Sequence, residues 1–264
     1  MLKTRILTAA VLLPAVGALV LFAPAWLFTI VNAIAGIWGL YEVAAMTGAL
    51  HWVALPLFAA VGGVPLLGLL YGGDAGWIGW LVPTLVILMM LGLALRVELN
   101  GGGEGLRGPR LVFIGAAYVG VLFPFFALLR NSPDGIHLLL LVILLAVASD
   151  SGAYFTGRYL GRTKLAPSLS PHKTVEGAVG GLIVTVVGAW LLFKMIGGTW
   201  DMGKILLFAA MISILAQLGD LAGSALKRAA GVKDSGWIFP GHGGLLDRTC
   251  SLVFALFFAY YWFR

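Results

Sequence analysis

Residues 136–155 read IHLLLLVILLAVASDSGAYF. The first thirteen positions hold a single polar residue, His137, and the first carboxylate comes only at Asp150. A helix that crosses a hydrocarbon core of about 30 Å needs roughly 20 predominantly apolar residues, and this stretch has that length. Its apolar residues are continuous rather than alternating with polar ones, so it does not resemble a strand of a membrane β-barrel. The stretch predicts a membrane-spanning helix that ends in a polar cluster.

Similar apolar runs occur along most of the chain, of which 61% is hydrophobic and only 11% charged. They predict about nine membrane-spanning helices, near residues 6–23, 25–46, 52–71, 77–95, 111–130, 136–155, 175–197, 203–226 and 249–263. We interpret the first run as a span and not as a removed signal peptide. The expected fold class is therefore an all-α, polytopic integral membrane protein. A Gly-rich linker at residues 100–109 divides it into N-terminal helices (1–110) and a C-terminal catalytic region (111–264).

Lys and Arg are unevenly distributed between the two sides of the predicted bundle. With the N-terminus inside, thirteen of the 17 Lys and Arg residues fall on the cytoplasmic side. Cytoplasmic loops of membrane proteins carry such an excess. We therefore expect a multi-pass protein of the cell inner membrane with its polar clusters facing the cytoplasm. The net charge of +6 does not indicate nucleic acid binding, because the sequence contains no basic module interleaved with aromatic residues.

The first polar cluster follows the stretch quoted above. Asp150, Tyr154 and Arg158 are four residues apart and share one helical face. The loop after them, residues 161–177, mixes Gly, Ser and Thr with cations. Backbone N–H groups in such a loop, with Thr174 near the start of the next helix, are suited to binding phosphates. The alternative is a basic loop that serves topology alone.

The second cluster lies at the end of the apolar run 203–226. Asp220, Ser224, Lys227 and Arg228 are spaced so that they share one helical face. A carboxylate inside an apolar span costs about 3 kcal/mol and usually has a function. The alternative is a structural ion pair between Asp220 and one of the two cations.

The third cluster, residues 231–248, reads GVKDSGWIFPGHGGLLDR. Three of its glycines let the backbone bend and approach a ligand closely: Gly241, Gly243 and Gly244. Asp234 and Asp247 offer oxygen ligands for a hard divalent cation, and Lys233 and Arg248 can neutralise phosphate charge. We interpret His242, between glycines, as a hydrogen-bonding or positioning residue rather than a metal ligand. The three clusters together favour metal-assisted phosphoryl or nucleotidyl transfer.

At these residues the sequence resembles the phosphatidate cytidylyltransferases, also called CDP-diacylglycerol synthases. The signature of that family reads approximately S-x-x-K-R-x(4)-K-D-x-G-x(3)-P-G-H-G-G-x-x-D-R-x-D. The chain matches it at Ser224 to Arg228, Lys233-Asp234, Pro240 to Gly244 and Asp247-Arg248. Earlier family patterns match at residues 149–157 and 165–177. The N-terminal half agrees only in containing several apolar spans.

The resemblance implies a Mg²⁺-dependent enzyme that uses CTP and phosphatidic acid to make CDP-diacylglycerol and pyrophosphate. It implies that Asp220 and Asp247 bind the metal. The remaining catalytic candidates are Lys227, Arg228, Lys233, Arg248 and His242. The candidates for binding substrate are Ser170, Lys173, Thr174, Ser224, Asp234, Gly241, Gly243 and Gly244. Phosphatidic acid would enter a polar cavity from the lipid bilayer, and assembly as a homodimer is a further expectation.

The chain departs from the family at one signature position, where Cys250 replaces the last acidic residue. A thiol is a poor ligand for Mg²⁺, because hard cations prefer oxygen. We hypothesise that Cys250→Asp raises activity or metal affinity. Glu42, inside the second span, is a lesser candidate whose alternative role is to hold helices together.

Two other functions compete with this interpretation. A CTP-dependent polyprenol or phytol kinase would transfer the γ-phosphoryl group and release CDP instead of pyrophosphate. A transporter or channel would use its intramembrane Asp residues as an ion path, and would have carboxylates near the middle of the bilayer and repeated half-structures. The sequence instead places its carboxylates near cytoplasmic helix ends and contains no convincing repeat.

Overall fold

A computed structural model describes residues 2–48, 77–101, 109–196 and 201–263. These residues form helices and one small antiparallel sheet. The elements are α1 (Leu2–Phe22), α2 (Ala25–Met46), α3 (Trp77–Leu99), α4 (Pro109–Leu122), α5 (Phe125–Arg130), α6 (Gly135–Leu160), β1 (Lys164–Ala166), β2 (Ser170–Thr174), α7 (Val175–Ile196), α8 (Met202–Ala229) and α9 (Leu246–Trp262).

Six helical segments of the described residues are long and apolar enough to cross a membrane. They are Ala25–Met46, Gly79–Leu99, Arg110–Arg130, Gly135–Leu160, Val175–Met195 and Met202–Ala229. Each corresponds to one predicted span, so the prediction of a helical membrane protein is confirmed.

The other three predicted spans have different outcomes. The span 6–23 falls in α1, a helix of 21 residues. The span 249–263 falls in α9, which has 17 residues. The span 52–71 lies outside the described residues. The count of nine spans therefore stays a prediction, as does the division of the chain near residue 110.

The predicted span 111–130 consists of two helices, because Pro124 interrupts it. Proline has no amide hydrogen to donate, and α4 ends at Leu122 before α5 begins at Phe125. The amide of Leu128 nevertheless donates to the carbonyl of Pro124 at 3.0 Å. The helical path therefore continues across the break.

Glycines bring α6 and α7 into close contact. A Cβ atom on Gly181 would lie 2.7 Å from the carbonyl oxygen of Ser149, and one on Gly180 would overlap the hydroxyl of Thr156. Small residues allow membrane helices to approach in this way. These glycines therefore pack α7 against α6 within one chain, whereas Gly188 has open space around it.

A buried polar network joins α6, α7 and α8. The hydroxyl oxygens of Ser149 and Ser213 are 2.7 Å apart. The side-chain amide of Gln217 donates to Ser213 Oγ and to the carbonyl of Ala178, both at 3.2 Å. Such hydrogen bonds between membrane helices fix their mutual orientation. They hold α6, α7 and α8 together next to the polar ends of α6 and α8.

The segment 161–177, expected to be a loop, contains the hairpin β1–β2. The strands are antiparallel, with Lys164 paired to Thr174 and Ala166 paired to Ser170. The hairpin follows the last turn of α6 and leads directly into α7. It therefore holds the predicted phosphate-binding residues of this segment in a fixed backbone conformation.

Candidate active site

A cavity of about 600 Å³ opens where the end of α6, the hairpin, the start of α7 and the end of α8 meet. Nine of the fifteen residues that line it have polar side chains: Asp150, Tyr154, Arg158, Lys164, His172, Lys173, Thr174, Gln217 and Asp220. The predicted helical face of the first cluster is present, since Arg158 Nη1 donates to the hydroxyl of Tyr154 at 2.8 Å. We call this cavity the polar pocket.

The polar pocket contains an ion pair between the first and second clusters. Lys173 Nζ on β2 lies 2.5 Å from Asp220 Oδ2 on α8. Next to it, Thr174 Oγ1 accepts a hydrogen bond from the amide of Gly177 at 3.1 Å and caps the start of α7. Three predicted site residues therefore lie together, although about 50 residues separate Lys173 from Asp220 in the sequence.

A second ion pair joins the second and third clusters. Lys227 Nζ on α8 lies 2.6 Å from Asp247 Oδ1 on α9, and the Asp247 side chain is only 7% exposed. Asp247 Oδ2 also accepts hydrogen bonds from the amides of Ser235 and Gly244, both at 2.9 Å. Both carboxylate oxygens of Asp247 therefore have partners within the protein.

Two glycines of the third cluster adopt left-handed backbone conformations. Gly241 has φ 76° and Gly243 has φ 82°. A Cβ atom on Gly243 would also lie 2.5 Å from Asp247 Oδ2. The prediction that glycine is needed for backbone bending is confirmed at these positions, because L side chains rarely adopt such angles. Close approach of the backbone to a ligand stays a prediction.

The other predicted residues lie around the two ion pairs. Arg228 Nη1 donates to the carbonyl of Val232 at 3.0 Å, and Arg248 Nη2 donates to the carbonyl of His242 at 2.6 Å. Both arginines therefore bind backbone carbonyls of the third cluster. Lys233 and Asp234 are exposed, Ser224 is half-buried on α8, and Ser170 begins β2. His242 Nδ1 is buried and has no hydrogen-bond partner among the described residues.

Glu42 contributes more to the site than the sequence analysis assigned to it. Its side chain lies on α2, is 2% exposed, and accepts hydrogen bonds from four donors. They are Trp38 Nε1 at 3.1 Å, Ser235 Oγ at 2.8 Å, the amide of Leu245 at 2.7 Å and the amide of Leu246 at 3.0 Å. Its position as a carboxylate within an apolar span is the signal that made it a lesser candidate in the sequence.

Two further carboxylates, which the sequence analysis missed, bind the backbone around the hairpin. Glu98, at the end of α3, accepts hydrogen bonds from the amides of Ser168 and Leu169 at 3.1 and 3.2 Å. Glu176, in the first turn of α7, accepts from the amides of Arg162 and Thr163, both at 3.1 Å. The sequence carries no motif that pairs Glu98 with the hairpin, because 70 residues separate them.

Cys250 lies where glycines of α8 bring that helix close to α9. A Cβ atom on Gly223 would lie 2.6 Å from Cys250 Cβ, and one on Gly219 would overlap the Cys250 carbonyl oxygen. The thiol is 3.5 Å from Asp220 Oδ1. The departure from the family signature therefore lies beside a predicted metal ligand. Among the described residues, no group of three or more His, Cys, Asp or Glu side chains forms a metal site.

The sequence was compared with protein-family models and with individual proteins, and both comparisons find similarity to cytidylyltransferases. The model of the family described as "Cytidylyltransferase family" matches residues 3–264. A phosphatidate cytidylyltransferase of Staphylococcus haemolyticus is 44% identical over 140 residues, which are 53% of each chain. One of Staphylococcus saprophyticus is 38% identical over 69% of this chain and 70% of the relative. One of Bacillus subtilis is 41% identical over 57% of this chain and 56% of the relative. The similarity thus spans about half the length of the first and third of these relatives.

Proposed function

Because this chain belongs to the cytidylyltransferase family, we propose that it is a phosphatidate cytidylyltransferase, which transfers CMP from CTP to phosphatidic acid. One structural observation supports the proposal above all others. Two lysine–carboxylate pairs, Lys173–Asp220 and Lys227–Asp247, each have one member on α8, near the end of that helix that lines the polar pocket. Cations beside carboxylates at the end of a membrane helix suit substrates that carry phosphate on a lipid.

The polar pocket offers the charge that a nucleoside triphosphate needs. Arg158, Lys164 and Lys173 line it together with His172. Charged hydrogen bonds from such side chains to phosphate are roughly twice as strong as neutral ones. In our proposal, the phosphates of CTP lie against these residues. A phosphate that binds Lys173 would compete with Asp220 and free that carboxylate for another partner.

Mg²⁺ is the cofactor that we propose. The donors fit, because Mg²⁺ is usually bound by one or two carboxylates together with substrate phosphates. Asp150 and Asp220 line the polar pocket, and Asp247 lies in the first turn of α9. Of these carboxylates, Asp220 and Asp247 are the ones that would hold the metal. When bound, Mg²⁺ would neutralise negative charge on the pyrophosphate leaving group.

The proposed reaction needs no covalent enzyme intermediate. A phosphate oxygen of phosphatidic acid attacks the α-phosphorus of CTP, and the bond to the β-phosphate oxygen breaks as pyrophosphate leaves. Catalysis of this kind depends on positioning and on charge stabilisation. Lys173 and Lys227 would hold the negatively charged phosphates close to each other.

We further propose that the protein lies in the cell inner membrane, with the polar pocket facing the cytoplasm. The excess of Lys and Arg on that side supports this orientation. CTP would then reach the pocket from water and phosphatidic acid from the adjoining leaflet. Assembly as a homodimer stays a prediction.

The protein purified in detergent is expected to release pyrophosphate from CTP only when phosphatidic acid and Mg²⁺ are both present. The released nucleotide product distinguishes the proposal from the kinase alternative, because a kinase would release CDP and no pyrophosphate. Pyrophosphate and CDP should therefore be measured in the same reactions. CDP release with polyprenol or phytol as the acceptor, and none with phosphatidic acid, would refute the proposal.

Cys250→Asp is expected to lower the Mg²⁺ concentration for half-maximal activity by roughly fivefold, since an oxygen ligand replaces a thiol. The new carboxylate would lie beside Asp220, from which the thiol is now 3.5 Å away. Added Mg²⁺ should also raise the thermal unfolding midpoint more in this variant than in the wild type. Cys250→Asn, which is similar in shape but uncharged, is the control. Equal Mg²⁺ responses in the wild type and Cys250→Asp would exclude a ligand role for this position.

A further inference from the structure

Helix α9 has no capping side chain of its own at its N-terminus. Leu245 is the N-cap residue, and it makes no side-chain capping hydrogen bond. The first amides of a helix lack partners within the helix, and an acceptor with negative charge is favourable there. In this protein the acceptor comes from another helix: Glu42 Oε1 accepts from the amide of Leu245, and Glu42 Oε2 accepts from the amide of Leu246.

The turn that Glu42 caps carries Asp247, which pairs with Lys227. A second connection runs through Ser235, whose hydroxyl is 2.8 Å from Glu42 Oε2 and whose amide donates to Asp247 Oδ2 at 2.9 Å. Glu42 therefore contacts the two backbone amides just before Asp247 and also the hydroxyl of Ser235, whose amide binds Asp247. Any movement of the Glu42 carboxylate would change the position of Asp247.

The glycines of the third cluster allow this contact. A Cβ atom on Gly236 would lie 2.8 Å from Glu42 Oε1, and one on Gly244 would lie 2.6 Å from both Glu42 oxygens. Two separate parts of the cluster therefore wrap around one carboxylate. The fit leaves no room for a side chain between the backbone and Glu42.

We propose that Glu42 is a positioning residue for the reaction: it caps α9 from α2 and thereby fixes Asp247 opposite Lys227. This inference rests on the proposed function. It assigns to the N-terminal helices a direct part in ordering the active site. Glu42 itself acts through the backbone of α9 and not on the substrate.

The test compares Glu42→Gln with Asn32→Leu. Asn32 is a matched control, because it is also a buried polar residue of α2, and it donates to the carbonyl of Phe123 at 3.4 Å, away from α9. We expect kcat for pyrophosphate release, per folded molecule, to fall roughly 10- to 100-fold in Glu42→Gln, since small misplacements near reacting groups have effects of this size. The control should keep the wild-type kcat. A merely structural role would lower the folded fraction of Glu42→Gln but not its kcat.

A second readout does not depend on activity. Cys250 is the single cysteine of the chain and is 3% exposed against α8. If Glu42 fixes the first turn of α9, a small maleimide should label Cys250 faster in folded Glu42→Gln than in the wild type or in Asn32→Leu. Folded Glu42→Gln with wild-type kcat and wild-type labelling would overturn the proposal.

Ser235→Ala is the milder variant if Glu42→Gln does not fold. It removes the hydroxyl that lies 2.8 Å from Glu42 Oε2 and 3.1 Å from Asp247 Oδ2, and it leaves both carboxylates. We therefore expect a several-fold lower kcat and faster labelling of Cys250, and wild-type values for both would overturn the proposal. If the wild type releases no pyrophosphate at all, the proposed function fails. The labelling of Cys250 then still decides whether Glu42 fixes α9.

Discussion

Asp220→Asn is expected to lower pyrophosphate release from CTP and phosphatidic acid by roughly 100-fold, a loss typical of removing one important electrostatic group from an active site. Asparagine keeps the shape of the side chain but carries no charge. The ion pair with Lys173, now 2.5 Å long, would be lost, and so would a carboxylate in the polar pocket. The measurement is the initial rate of pyrophosphate release at saturating substrate, divided by the amount of folded enzyme.

Asp201→Asn is the matched control for this variant. Asp201 caps the other end of the same helix, where its Oδ1 accepts from the amide of Lys204 at 3.0 Å. Asparagine caps helices about as well as aspartate, so the rate should stay within about twofold of the wild type. A rate above half of the wild-type value in Asp220→Asn would mean that Asp220 serves only as a structural ion pair.

Lys227→Met is expected to cause a large loss of stability. It would leave Asp247, whose side chain is 7% exposed, without its cation. Removing one partner of a buried ion pair costs about 3–5 kcal/mol, because the remaining charge is uncompensated. We expect the midpoint of thermal unfolding in detergent to fall by roughly 10 °C. Differential scanning fluorimetry on the purified protein measures it directly.

The double variant Lys227→Met/Asp247→Asn separates stability from activity. It removes both charges, so most of the lost stability should return. Pyrophosphate release should stay low, because both proposed phosphate- and metal-binding groups are absent. If the double variant unfolds at the same temperature as Lys227→Met, the uncompensated charge of Asp247 is not the cause of the instability.

The sequence alone predicted the fold class and the meeting of the polar clusters, for identifiable physical reasons. Continuous apolar runs have few structural solutions in a membrane, so six spans could be assigned from hydropathy. Placing all three clusters on one side of the membrane predicted that they can meet, but it did not predict that Lys173 pairs with Asp220 and Lys227 with Asp247. The roles of these residues in catalysis stay predictions.

Other features could not be predicted because they depend on contacts between distant parts of the chain. Glu98 binds amides 70 residues away, and Glu42 binds amides more than 200 residues away. No local pattern relates such partners. The hairpin after α6 was also missed, since a mixture of Gly, Pro, Ser and cations is typical of loops. Its strands are only three and five residues long.

The glycine contacts between α6 and α7 would restrict the path of the proposed lipid substrate. The two backbones approach so closely that a Cβ atom on Gly177 would lie 2.8 Å from the carbonyl oxygen of Ala153. An acyl chain is about as wide as a bulky aliphatic side chain, so it cannot pass between two helices that are packed this closely. A phospholipid whose headgroup reaches the polar pocket must therefore slide in along a different flank of the bundle.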